Sequence, residues 1–113
     1  MTECIFCKIV NKEIPSEIVY ENDQVVAFKD INPVAPVHIL IVPKVHVKSI
    51  MELDTSSNIL NGVAEAIQKI AKDQNIACEG FRVVNNCGTL AGQSVDHLHF
   101  HLLGGRAMQW PPG

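Results

Sequence analysis

Apolar positions along the chain change period several times, and the changes mark the elements. In "CIFCKIVNKEI", residues 4–14, Ile5, Ile9 and Val10 recur at helical spacing until Pro15 ends the pattern, which predicts one short helix. Three runs rich in β-branched residues follow: "EIVYEN" (17–22), "QVVAFKD" (24–30) and "VHILIVPK" (37–44). "ENDQ" between the first two reads as a hairpin turn, and the two prolines of "INPVAP" mark the next gap as a loop. The strongest helix runs over 54–75: "DTSS" offers good N-cap residues, and Ile59, Val63, Ile67 and Ile70 then repeat along one face. "GFRVVN" (80–85) predicts a fourth strand, "NCGTLAGQS" a loop, and "HLHFHLL" (97–103) a fifth strand stopped by Gly104 and Gly105.

Helices and strands do not alternate one for one. The expected fold is therefore α+β: a five-stranded, mainly antiparallel sheet with one short and one long helix. At 113 residues the chain fits one domain, small enough that burying further surface in a dimer would add stability. The tail "AMQWPPG" cannot continue a strand. No internal repeat is present.

The last strand carries the chemistry. His97, His99 and His101 fall at every second position, so they share one face while Leu98, Phe100 and Leu102 share the other. The leucine face belongs in a core, which leaves the histidines on an outward ridge. Only five histidines occur in the chain, and three of them stand here. Imidazoles in register suit nucleophilic and proton-transfer work or metal binding; a strand that merely alternates core residues with histidines explains such density poorly. Upstream, Gly92 would let backbone N–H groups approach an anion, and the Ser94 hydroxyl can donate to a phosphate oxygen, so phosphate chemistry is favoured. Asp30, where the second strand runs into a loop, can accept hydrogen bonds from two ribose hydroxyls.

Charge narrows the partners. The formal net charge is −3, so no basic field exists to hold a nucleic-acid backbone or an anionic membrane. No apolar run approaches a membrane span, and "MTECIFCK" lacks the features of a signal peptide, which leads to an expected cytoplasmic location. In that compartment the four cysteines are expected as thiols or metal ligands rather than disulfides. The Cys4-x-x-Cys7 spacing lets two thiolates hold one Zn²⁺ from a single turn.

"HLHFHLL" matches the His-x-His-x-His-x-x pattern of the histidine triad family. "FKDINPVAPVHILIVPK", "GQSVDHLHFHLLGGR" and the ending "WPPG" resemble its nucleotide-binding, purine nucleoside phosphoramidase branch nearly end to end. The resemblance implies cleavage of the P–N bond of adenosine or guanosine phosphoramidates through a nucleotidyl-histidine, with no catalytic cofactor. It implies that His99 attacks phosphorus, His101 contacts the phosphate and assists departure, and His38 and His97 orient the nucleophile. Asp30 would hold the ribose, Phe6, Ile9, Ile14, Phe28 and Ile31 the base, and Asn86, Gly92, Gln93 and Ser94 would surround the phosphate. The third histidine, His101, favours water over a transferase acceptor, since related nucleotidyltransferases carry glutamine there.

Two further roles remain open in the sequence: a dinucleoside polyphosphate hydrolase, whose branch lacks the Trp-Pro-Pro-Gly ending, and a nucleotide-responsive adaptor. Relatives with the same N-terminal cysteine pair resemble structural zinc binders, which implies Cys4, Cys7, His46 and His97 as ligands. The family also implies a homodimer in which residues 106–113, with Trp110, reach the partner's site.

Overall fold

The computed structural model describes residues 4–113. Helix α1 spans Ile5–Val10 and is followed by strands β1 (Ile18–Glu21), β2 (Val25–Lys29) and β3 (Val37–Pro43). Helix α2 (Ile59–Asp73), β4 (Phe81–Val84) and β5 (Phe100–Gly104) complete the order. One five-stranded sheet has the order β1-β2-β3-β5-β4, and every neighbouring pair is antiparallel. The expected α+β class and element order are those observed.

Strand alternation divides the core in two. Val25, Ala27, Ile39, Ile41, Phe100 and Leu102 point to one face, where α2 packs Ile59, Val63, Ala66 and Ile70 against them. Val26, Phe28, Leu40 and Val42 point to the other, where Phe6 and Ile9 of α1 cover them. The central strands are buried on both faces, which is why β2 and β3 read as continuous apolar runs.

Several boundaries differ from expectation. The long helix begins at Ile59, not Asp54: the Asp54 carboxylate accepts the backbone N–H and hydroxyl of Ser56, closing a turn of its own before the helix starts. In α1 the buried residues are Phe6 and Ile9, while Ile5 is exposed, because the helix is too short to bury more than one stripe. The last strand starts at Phe100 and includes Gly104. A Cβ at Gly104 would lie 2.7 Å from Ile76 Cδ1, so glycine is required there by space within the sheet, and it is Gly105, with φ +91°, that ends the strand.

The histidine ridge is not outward. His97 and His99 are 0% and 3% exposed, because α1 lies across the face that they share. They occupy irregular backbone leading into β5, where the Leu98 N–H donates to Val47 O. None of the described helices is long and apolar enough to cross a membrane.

Candidate active site and metal centre

Register brings His38, His101 and Asp30 together. His101 on β5 stands opposite Leu40 on β3, and His38 opposite Leu103, so His38 and His101 meet on the α1 side of the sheet. Asp30 follows β2 and donates its N–H to His38 O. Two adjacent strand ends thus bring together residues far apart in sequence.

The hydrogen-bond partners fix each imidazole. His99 Nδ1 lies 2.8 Å from the carbonyl oxygen of His97. A carbonyl only accepts, so in the neutral ring Nδ1 carries the hydrogen and Nε2 has a bare lone pair. His38 Nδ1 accepts the Val34 N–H at 3.1 Å, so its hydrogen sits on Nε2, 2.9 Å from His101 Nδ1. His101 therefore accepts at Nδ1 and carries its own hydrogen on Nε2. Burial, followed by the nearby His99 and His38, holds the His101 pKa below the usual histidine value. Burial also lowers that of His38, against the opposing charge of Asp30. Both rings favour the neutral form. A bare nucleophilic nitrogen and a hydrogen-bond donor then sit on rings whose centroids are 5.2 Å apart.

Beside these rings lies a cavity of about 320 Å³, the size expected of a small-molecule site. Phe6, Ile9, Ile14, Phe28 and Ile31 line one part of it, and Asp30, Ser94, His99 and His101 another. Phe6 packs edge-on against both Phe28 and His99, with centroids 5.7 and 5.1 Å apart. Ile31 is 91% exposed and forms a rim rather than a wall.

Other anticipated residues stand elsewhere. Asn86 and Gly92 do not line this cavity. Gly92 has φ +86° and open space where a Cβ would be, so backbone conformation is what calls for glycine. The Gln93 amide accepts from Gly88 N–H and donates to Lys48 O and Val95 O, which ties down the loop between β4 and the histidines. It is the neighbouring Asn85 whose amide donates to His99 O at 2.9 Å. Asn85 continues β4, which lies beside β5 and places it by His99; the sequence points to Asn86 because only register separates the two. Trp110 is 80% exposed and outside the cavity, with its ring 6.0 Å from the Arg82 guanidinium, which also donates to Gln109 O. The tail is thereby held against β4.

The second cluster is Cys4, Cys7, His46 and His97, whose ligand atoms all lie within 4.8 Å of one another. His97 Nε2 donates to Pro43 O at 2.9 Å, which leaves Nδ1 bare and aimed at Cys4 Sγ, 3.3 Å away, and Cys7 Sγ, 3.6 Å away. Cys7 Sγ is 3.2 Å from His46 Nδ1. Two sulfurs and two imidazole nitrogens, one already oriented by a backbone carbonyl, suit a tetrahedral Zn²⁺ site. Burial first, and then the neighbouring Cys4, push the Cys7 thiol up to about 11, so metal binding there must displace a proton. The four cysteines form no disulfide.

Imidazoles with fixed tautomers stand beside a cavity of small-molecule size on an antiparallel α+β sheet. The family model for the HIT domain matches residues 11–108, and the chain belongs to the HIT, or histidine triad, family. It is 48% identical to the adenylylsulfatase HINT1 of Arabidopsis thaliana, across 96% of this chain and 76% of that protein. It is 46% identical to a 14 kDa zinc-binding protein of Brassica juncea, across 98% and 100% of the two chains. The structure of a HIT family hydrolase from Clostridium thermocellum superposes with a TM-score of 0.92 at 50% identity, covering 96% of each chain.

Proposed function

We propose that this chain hydrolyses purine nucleoside 5′-phosphoramidates through a nucleotidyl-His99 intermediate. The observation that carries the reading is the bare Nε2 of His99 beside a cavity with apolar walls of Phe6, Phe28 and Ile9. The apolar end suits a purine ring and Asp30 the ribose hydroxyls, which leaves the phosphate between Ser94, His99 and His101. His99 Nε2 attacks phosphorus and the P–N bond breaks, with its electron pair leaving on the amine, which takes up a proton from solvent water as it departs. His101 Nε2–H and the Ser94 hydroxyl donate to phosphate oxygens as negative charge builds on them. Water then attacks the nucleotidyl-histidine, its proton is released, and the nucleoside monophosphate and neutral His99 are regenerated.

The Cys4, Cys7, His46 and His97 cluster suits a structural zinc, a reading supported by the likeness to the Brassica zinc-binding protein. When bound, zinc would link α1 to the segment entering β5; four protein ligands leave no position for water, so no catalytic step uses it. The reading also takes residues 1–113 as one domain of a homodimer, with exposed Phe81 and Val83 on edge strand β4 available for pairing. Residues 106–113 then reach the partner's cavity. Reduced thiols fit a cytoplasmic setting.

An HPLC assay of adenosine and guanosine phosphoramidates, adenylyl sulfate and dinucleoside polyphosphates tests this function. Phosphoramidates should turn over fastest, and failure of both to release nucleoside monophosphate would overturn the reading. The Arabidopsis relative's name favours a second substrate for the same site: adenylyl sulfate, in which a P–O bond to sulfate breaks instead.

A further inference from the structure

Helix α1 serves two sites at once. Cys4 at its N-cap and Cys7 within it supply half of the metal cluster, while Ile5, Phe6 and Ile9 line the cavity. Phe6 is where the two sites meet. Its ring centroid lies 5.9 Å from that of His97, 5.1 Å from that of His99 and 5.7 Å from that of Phe28. A metal ligand, the nucleophile and the wall of the base pocket thus pack on one side chain that stands between Cys4 and Cys7 in sequence.

Six residues are too few to hold a helix by themselves. Among the described residues, the N–H groups of Lys8, Asn11, Lys12 and Glu13 donate to the carbonyls of Cys4, Cys7, Ile9 and Lys8, so these backbone bonds stay within the segment and none joins it to the sheet. Attachment is by side chains instead. Phe6 and Ile9 are buried, Lys12 pairs with Glu21 at the surface, and Cys4 and Cys7 meet His97 and His46. Those last contacts, at 3.2 to 3.6 Å, are thiol–imidazole hydrogen bonds, and zinc would replace them with stronger coordinate bonds to the same atoms.

We propose that zinc and nucleotide bind cooperatively, with α1 as the shared element and Phe6 as its contact with both sites. Zinc confines the helix against His97 and the segment 44–49, so a base entering beside Phe6 meets a wall that has less freedom left to lose. In the other direction, a base packed on Phe6 confines the helix that carries Cys4 and Cys7 and tightens the hold on zinc. Linkage requires the two effects to be equal. The cavity is not rearranged, and no step of the reaction runs through the metal. Metal occupancy sets affinity: loss of zinc weakens the hold on nucleotide, and bound nucleotide retains zinc.

This inference rests on the nucleotide and zinc readings above. AMP affinity is measured by calorimetry on zinc-loaded and zinc-free protein, and zinc affinity by competition with a chromophoric chelator, with and without saturating AMP. Each ligand should raise affinity for the other by the same factor, about fivefold or more. AMP affinities within about twofold of each other in the two forms would overturn the coupling alone. AMP that binds neither form would overturn the nucleotide reading, and a chain that takes up no zinc the metal reading, each taking this inference with it.

General stabilisation of the fold by either ligand also produces linkage, and two further measurements separate it from coupling through α1. In Phe6→Leu, which keeps an apolar side chain, the coupling factor should shrink to within about twofold, and an undiminished factor would overturn Phe6 as the contact. Hydrogen exchange of the native protein needs no variant. Removing zinc should speed exchange of the Lys8, Asn11, Lys12 and Glu13 amides by a larger factor than that of the amides pairing β2 with β3, which report opening of the whole fold. Equal factors in helix and sheet would overturn the proposal.

Discussion

The backbone carbonyl of His97 lies 2.8 Å from Nδ1 of His99, so one residue of the triad sets which nitrogen of the next is bare. Under the proposed function the attacking atom is thereby Nε2. His99→Ala should leave nucleotide binding measurable but reduce turnover by at least roughly 10³. Quench mass spectrometry of the native protein with a slow substrate should detect the nucleotidyl adduct. A variant with near-normal turnover would rule out this nucleophile.

Acid should destabilise the fold through buried imidazoles. The pKa values of His38 and His101 are lowered by burial, so between the folded values and the unfolded value of about 6.5 the unfolded chain binds more protons. Stability is then fully present above about pH 6.5 and is lost as the pH falls toward the folded values, each group adding a slope of at most about 1.4 kcal/mol per pH unit. Melting temperatures recorded from pH 7.5 to about 5 should fall, and should fall less steeply in His38→Asn. A flat profile would contradict the assignment of these two rings as neutral.

Protein purified without chelator should contain about one zinc per chain by elemental analysis. Removing it should lower the melting temperature by at least about 5 °C, the shift that roughly 1 kcal/mol produces in a domain of this size. Cys7→Ser should show a similar loss, with no further effect of chelator. Metal-free protein of unchanged stability would reject the site.

Deleting residues 108–113 removes Trp110 and the Gln109 carbonyl that Arg82 engages. Sedimentation should still show a dimer, and AMP affinity should change little. kcat/KM should change by different factors for bulky and small leaving amines. A monomeric native protein would refute the dimer, and equal factors would refute a role for the tail in choosing substrates.

Much of this was legible in the chain because alternation is a strong signal. Leu98, Phe100 and Leu102 enter the α2-side core as their spacing requires, and the apolar runs of β2 and β3 are the two-sided strands that such runs denote. Burial of the histidines was not legible. It depends on α1, only six residues long, folding back across β5 and adding Phe6 to rings 90 and more positions away. The helix start was missed because Asp54 and Ser56 satisfy each other in a turn instead of capping α2. Asn85 was passed over for Asn86 because a one-residue choice beyond a strand end is settled by register with β5.

The sheet acts as a partition between two kinds of failure. Ala27 and Phe28 are neighbours in sequence, as are Ile39 and Leu40, yet in each pair the first faces α2 and the second lies on the side of the cavity. Damage at the first of each pair is felt by the whole molecule, which melts earlier while the surviving folded fraction keeps a normal site. Damage at the second loosens the smaller core under α1 and also alters ligand affinity in the molecules that remain folded. A saturation-mutagenesis map of β2 and β3 should therefore show abundance falling at both positions of each pair, and activity per folded molecule falling in a single stripe of period two on the cavity side. Drift in a lineage under selection for a new ligand would be expected to concentrate in one stripe and leave the other nearly still.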